Sequence, residues 1–413
     1  MTKGFPAAAL LAWLLAAVFY FVQYALRSAP SVMMPQLCDA FGVNALGVAT
    51  IVGMFYYGYS PFSLVAGAAL DRFGAKRIIP IGAVLVGAGA LLFSTGSVIV
   101  ASLGRFLQGA GGVFALVGAI YIATKYFPAS YTASLVGATQ MFGMAGGSAG
   151  QFFVGPLITG GLPWRRFWTY AGFTGLAICV SLLVLLPKEA RKEATGTGGF
   201  ASVLAALKTV FSNPQSILCG LIAGLLFIPT TIFDMTWGVR YLQEGRGREY
   251  EDAVMIAATV PFGWMIGCPL LGIISDRVGR RKPVILAGSV VLLAVLAWAL
   301  YGMPGFFRGP AVGIVMGIAS GAAMLPYTVI KEVNPPELGG SATGVVNFIN
   351  FTFSALLGPA FGRRLVEASQ GSEVMELSHY QAAFRPMLLG IVAAVILTCL
   401  LKETGPAARK AGK

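Results

Sequence analysis

A charged turn occurs twice in this chain, half a sequence apart, and each copy sits between long apolar runs. The first copy reads Gly67-Ala-Ala-Leu-Asp71-Arg72-Phe-Gly74-Ala-Lys76-Arg77, the second Gly272-Ile-Ile-Ser-Asp276-Arg277-Val-Gly279-Arg280-Arg281. The two aspartates lie 205 residues apart in a chain of 413, so the protein reads as two copies of one unit. Apolar runs of about 20 residues are long enough to cross a bilayer as helices, in which every backbone group is satisfied within the segment. Charge is tolerated between such runs only at the membrane edge or for a reason of function. The constraint is severe: a duplicated bundle of membrane helices.

Composition agrees. Apolar residues make up 57% of the chain and charged residues 11%, against about 45–50% and about 25% in soluble domains. The 54 glycines suit a membrane bundle, where a missing side chain lets helix backbones approach closely. A net charge of +13 raises nucleic acid as a partner, but the basic residues fall in short clusters at segment ends and form no stripe. Membrane orientation accounts for them, and no nucleic-acid partner is expected. The five cysteines are odd in number and widely separated, with no disulfide framework and no zinc spacing. With one histidine, His379, no imidazole-rich metal site is expected, and no cofactor. The apolar N-terminus lacks a small-residue cleavage site and reads as a first span, not a signal peptide.

Twelve spans are expected, near 7–35, 44–70, 77–96, 98–125, 131–157, 166–187, 212–240, 252–275, 283–303, 309–333, 339–365 and 381–402. The hydrophilic stretch 188–211 falls at the midpoint and reads as a linker between an N-terminal six-helix bundle (1–187) and a C-terminal one (212–402), followed by a tail at 403–413. Twelve spans put both termini on one side. Assigning that side to the cytoplasm places 18 of the 29 Lys and Arg there and 9 on the other face, with Arg27 and Arg105 inside helices. This bias agrees with the positive-inside rule.

With six plus six helices and the charged turn after the second helix of each half, the chain resembles the major facilitator superfamily over essentially its whole length. A second match is Gly104-Arg105-Phe-Leu-Gln108-Gly109-Ala-Gly111 in the fourth helix, similar to that family's glycine-flanked arginine motif. The resemblance implies two pseudo-symmetric bundles around a central cavity, with alternating access by rocking. It also implies a gating role for Asp71, Arg72, Gly74, Arg77, Arg105, Asp276, Arg277, Gly279 and Arg280. The physics of the turn fits: the aspartates can meet neighbouring arginines and a helix dipole, and the glycines permit a tight reversal. The plainer reading is a set of solvated loop charges that fix topology.

Ionisable residues within spans are functional candidates by default. Arg27 stands out. Tyr20, Gln23, Tyr24 and Arg27 share one face of the first helix, and a guanidinium clamps a carboxylate or phosphate through two parallel hydrogen bonds. The competing reading is an arginine near enough to the surface to snorkel into water. The run Tyr24-Ala-Leu-Arg27-Ser-Ala-Pro-Ser-Val-Met-Met-Pro35 is similar to the first helix of the organophosphate:phosphate antiporter branch, where an arginine at this point binds substrate phosphate. That branch uses a second arginine in the seventh helix, and here that helix holds none before Arg240. One guanidinium suits a monoanion, a carboxylate above all.

In the seventh helix Thr230, Asp234 and Trp237 read as one face. Asp234 is the proton-coupling candidate, since a carboxyl partly withdrawn from water can exchange a proton as access alternates. The alternative is a structural partner for Arg240 or Arg27. In the eleventh helix Thr343, Asn347, Asn350 and Ser354 form a polar stripe, read either as substrate contacts or as ties between helices. Tyr56, Tyr57, Tyr59, Tyr121, Gln140, Gln151 and Trp264 are weaker candidates, of which half at most should line the cavity. Lys331 and Glu332 should satisfy each other, and the overlapping Gly143-x-x-x-Gly147 and Gly146-x-x-x-Gly150 should let helices pack closely.

The function these residues imply is secondary transport of a small organic anion, by proton symport or exchange with a counter-anion. The chain is expected to act as a monomer in a bacterial inner membrane. Export of amphiphilic drugs or siderophores is the alternative within transport. A solute sensor that signals without transport is the alternative outside it, with little soluble chain to signal through. Nothing resembles a nucleophile–base pair, so an enzyme is not expected, and the lack of a Gly-x-x-x-x-Gly-Lys-Ser loop argues against ATP.

Overall fold

A computed structural model describes residues 7–186, 200–303, 309–370, 372, 375–405 and 407, and structural statements below hold for these. Residues 188–199 of the expected linker, most of the tail beyond 405 and the side chain of Asp71 lie outside the described residues.

Twelve long helices follow in order: α1 (Ala7–Ser28), α2 (Ala45–Phe73), α3 (Ala75–Phe93), α4 (Val98–Tyr126), α5 (Ala129–Phe152), α6 (Trp164–Leu185), α7 (Pro214–Ile228), α8 (Tyr250–Val278), α9 (Lys282–Tyr301), α10 (Gly309–Ser320), α11 (Gly339–Ala368) and α12 (Leu377–Leu400). Three are extended by tighter or wider turns. α1 runs into a 3-10 stretch, Ala29–Met33, where Pro30 removes a donor, and then into Met34–Phe41. α7 passes into π-helical turns over Pro229–Gly238. α10 continues through Gly321–Met324 to Leu325–Glu332.

Eleven of these stretches are long and apolar enough to cross a membrane. α5 is not among them. It has the length, but it carries Thr139, Gln140, Ser148 and Gln151 and packs on α1 within its own bundle and on α8 of the other, so its polar atoms face protein. Local chemistry sets the starts. The Asn44 side chain accepts from Gly47 N–H at 3.0 Å ahead of α2, and Asn213 accepts from Gln215 N–H at 3.0 Å with Pro214 opening α7.

α1–α6 pack among themselves, as do α7–α12, and the two bundles meet along α2 against α11 and α5 against α8. Ser60 donates to Phe348 O at 2.9 Å and lies 2.7 Å from Thr352 Oγ1; Ser148 donates to Ala258 O at 2.8 Å. The α5 glycines behave as their spacing suggests. A Cβ on Gly146 would strike Phe21 O, and one on Gly150 would strike Ala25 O, so α1 and α5 touch backbone to backbone.

One stretch departs from expectation. Residues 200–211 were expected as hydrophilic linker, yet Phe200–Ser212 is a helix that buries Leu207 and Val210 against α11 and α2. Val203, Leu207 and Val210 recur at helical spacing, which makes a short amphipathic face.

Candidate functional site

Arg27 occupies the last turn of α1 and is 2% exposed. None of its three guanidinium nitrogens has a hydrogen-bond partner among the described residues. Six aromatic rings surround it instead. Its Cζ lies 4.9 Å from the ring centre of Tyr24, 5.1 Å from Phe55, 4.9 Å from Tyr56 and 5.6 Å from Tyr59. From the other bundle, Phe227 stands at 5.9 Å and Phe351 at 4.7 Å. Burying a charge without a counter-charge costs several kcal/mol, and a ring face returns up to about 2 kcal/mol when desolvated. The cage therefore offsets part of the cost while leaving all of the guanidinium's donors unused. The side chain is thus enclosed by protein, and among the described residues it has no ion-pair partner.

Other unsatisfied polar groups lie on the same helices. Gln23 is buried with neither amide atom bonded. On α11, Asn347 accepts from Tyr327 Oη at 2.6 Å and Asn350 donates to the same oxygen at 3.0 Å. Each asparagine keeps its second amide atom, Asn347 Nδ2 and Asn350 Oδ1, buried and unbonded. The stripe thus ties helices with one half of each amide and leaves the other half over. Its remaining members turn elsewhere: Ser354 meets Thr231 at 3.0 Å and Thr343 bonds its own helix. Tyr20 donates to Gln140 Oε1 at 2.9 Å and packs edge-on to Tyr24.

Several expected residues are not brought to Arg27. Tyr57 is 39% exposed, because one residue turns a helix by about 100° and Tyr56 holds the inward position. Tyr121 lies 16 residues beyond Arg105 along α4, roughly 24 Å at helical rise, where its hydroxyl accepts from Lys125 at 2.6 Å. Trp237 is buried with its indole nitrogen unbonded. It lines a cavity of about 770 Å³ together with Ser31, Met34, Asp39, Arg240 and Glu244, at the face opposite the charged turns. Asp234 borders a separate void of about 20 Å³, among Phe233, Tyr241, Val260, Gly313 and Met316. Thr230 accepts from Trp264 Nε1 at 2.7 Å. Thr230, Asp234 and Trp237 therefore do not share a face. The π-helical turns change the period on which the expected stripe was built, as the bond from Thr236 Oγ1 to Thr231 O, five residues back, records. Arg240 pairs with Glu244 at 2.7 Å, not with Asp234.

Arg105 contrasts with Arg27. It too is buried, but it donates to Leu26 O at 3.1 Å, Val52 O at 3.4 Å and Gln108 Oε1 at 2.6 Å. It ties α1, α2 and α4 together and stands well inside α4, away from the turn at 71–77.

At the turns, Gly74 (φ 78°) and Gly279 (φ 71°) adopt the left-handed region that side chains avoid. Arg72, Arg77, Arg277 and Arg280 are exposed. In the second turn the adjacent Arg281 makes the contacts, to Asp276 Oδ1 at 2.5 Å and Glu332 Oε1 at 3.1 Å. Glu332 thus pairs with Arg281 and accepts from Thr404 Oγ1 at 2.6 Å; the expected pairing with Lys331 is replaced. Glu403 adds a contact no motif announced, accepting from the N–H groups of Arg281 (2.6 Å), Lys282 (3.2 Å), Thr404 (3.1 Å) and Gly405 (3.2 Å). Partial burial alone would raise its carboxyl, but the four N–H donors prevail and hold it below the usual carboxylate range.

Twelve helices with paired bundle contacts fit one family model, the Major Facilitator Superfamily, over residues 16–359. The chain belongs to that superfamily. It is a multi-pass membrane transporter and not an enzyme. It is 27% identical over 362 residues to the "Hexuronate transporter" of Bacillus subtilis (strain 168), covering 84% of this chain and 85% of that one. It is 24% identical over 379 residues to the "Probable galactarate/D-glucarate transporter GudP" of the same organism, covering 79% of each. Among solved structures, a bacterial homolog of the human lysosomal transporter Spinster, inward-facing, superposes with a TM-score of 0.72 at 17% identity over 96% of both chains. That likeness speaks for the fold.

Proposed function

We propose that this transporter carries small hydroxylated organic acids of the sugar-acid kind by alternating access. The observation that carries the reading is the Arg27 guanidinium, caged by rings and left without an acceptor, on the same helices as the spare amide atoms of Gln23, Asn347 and Asn350. A carboxylate satisfies the guanidinium through two parallel bonds, and hydroxyls suit the amides, which both donate and accept. Tyr20, Tyr24 and Gln140 border the same helix face. The hexuronate and glucarate named for the two relatives are acids of this kind. Asp234, apart from the cage, is reserved for the coupling proton, so anion and proton occupy different places. The turns at 71–77 and 276–281 face the cytoplasm with both termini, and in the second the pairing of Arg281 with Asp276 and Glu332 latches that end. The protein works as a monomer in a bacterial inner membrane.

Uptake into proteoliposomes of labelled D-glucuronate, D-glucarate, a simple monocarboxylate and a sugar phosphate tests this. The sugar acids should be taken up in preference to the phosphate ester, and Arg27→Lys should lose that uptake. Wild-type transport of every anion by Arg27→Lys would refute the assignment.

A further inference from the structure

A carrier that keeps a permanent positive charge in its binding site meets a difficulty on the return half of its cycle. With an anion bound, the charge is neutralised. Without one, the bundles must close around a bare guanidinium, and an unpaired buried charge opposes closure. Where the protein offers no compensation, return requires another anion and the carrier can only exchange.

The surroundings of Arg27 supply a compensation of an uncommon kind. Among the described residues no carboxylate pairs with it; Asp234 borders a different void and Glu244 is held by Arg240 and by Tyr380 Oη at 2.5 Å. Ring faces do the work instead, four from the first bundle (Tyr24, Phe55, Tyr56, Tyr59) and two from the second (Phe227, Phe351). The two from the second bundle matter most, because they reach the guanidinium across the interface that rocking opens and closes. Phe351 is the nearest of the six at 4.7 Å and also packs on Tyr59, with ring centres 4.4 Å apart. Parting the bundles at this point would carry these two rings away from the charge and admit water.

We infer that this two-bundle aromatic cage lets the substrate-free carrier change its facing, so that transport is net and needs no counter-anion on the far side. The inference rests on the anion reading above and decides between the modes of transport it leaves open. A ring face neutralises part of the charge without forming hydrogen bonds, so an arriving carboxylate finds every donor available. The cage therefore favours return without competing for the site.

The test compares two assays on the same proteoliposomes with labelled D-glucuronate: net uptake into buffer-loaded vesicles, and counterflow into vesicles preloaded with unlabelled D-glucuronate. Wild type should show both. Phe351→Leu, which keeps an apolar side chain but removes the π face, should lower the ratio of net uptake to counterflow about tenfold. Phe351→Tyr should restore the ratio. Phe227→Leu, on a different helix, should act in the same direction and guards against loss of the fold in a single variant. Wild type that exchanges but shows no net uptake would overturn the inference while leaving the anion reading intact. Leu variants with a wild-type ratio would overturn it too. Failure of wild type to move any anion in either assay would refute the anion reading, and the cage's role with it.

Discussion

Two arginines lie buried within the first bundle, and the sequence makes them look alike. Arg105 spends its donors on Leu26 O, Val52 O and Gln108. Arg27 has no acceptor and six rings. A buried cation surrounded by protein acceptors holds structure; one surrounded by π faces keeps its hydrogen bonds for something that arrives. The two are linked, since Arg105 takes the carbonyl of Leu26, the residue before Arg27. One arginine fixes the turn of α1 from which the other projects.

The widest separation between them should come from truncating each. Arg27→Ala is expected to cut sugar-acid uptake at least about 100-fold, the loss of a bidentate charge-assisted pair. Its unfolding temperature in detergent should hold or rise, because the rings offset only part of the several kcal/mol that burying the charge costs. Arg105→Ala should do the reverse in kind. It leaves Gln108 Oε1 buried without its donor and takes from Leu26 O a partner that Pro30, four residues on, cannot replace, at about 1–3 kcal/mol for each unsatisfied group, and should lower the unfolding temperature and the yield of folded protein. Exchange of these two outcomes would break the comparison.

A smaller effect should sharpen it. Tyr327 orients both asparagines of α11 through one hydroxyl. Tyr327→Phe should weaken sugar-acid affinity about tenfold through lost positioning, about the worth of one hydrogen bond, with little change for an acid that lacks hydroxyls. Competition for labelled D-glucuronate uptake measures both. An equal loss for the two acids would assign Tyr327 to packing.

The smallest effect belongs to Glu403, far from either arginine. Its carboxyl is held low in the folded protein, so its contribution is complete above the ordinary carboxylate value, about 4.3. That contribution is lost as pH falls through the folded value. Glu403→Gln should therefore unfold at a slightly lower temperature than wild type at pH 7, with the gap closing at pH below about 4. A gap that persists in acid would mean the side chain acts by shape and not by charge.

How much of this was legible beforehand follows from how local each feature is. Length and hydropathy are local sums, so the spans, the duplicated turns and the lone Arg27 could be read from the chain. The cage could not. Phe55, Phe227 and Phe351 are ordinary apolar residues on three helices, and only packing gathers them around one charge. A regular helical period puts Asp234 and Trp237 on one face, and the π-helical turns from Pro229 do not keep that period. The motif points to Arg277 and Arg280, but burial, not position in the motif, selects which arginine pairs, and it selects Arg281. Glu403 lies 122 residues from the turn it caps, and no motif connects them.

The central claim is that Arg27 receives the substrate's negative group. D-Glucuronate and D-glucose share a ring and differ in carrying a carboxylate or a hydroxymethyl group, so calorimetric binding of both to wild type and Arg27→Ala isolates that one contact. The account predicts that wild type prefers the acid by about 100-fold or more and that Arg27→Ala binds the two sugars alike. An acid preference that survives the substitution would contradict it.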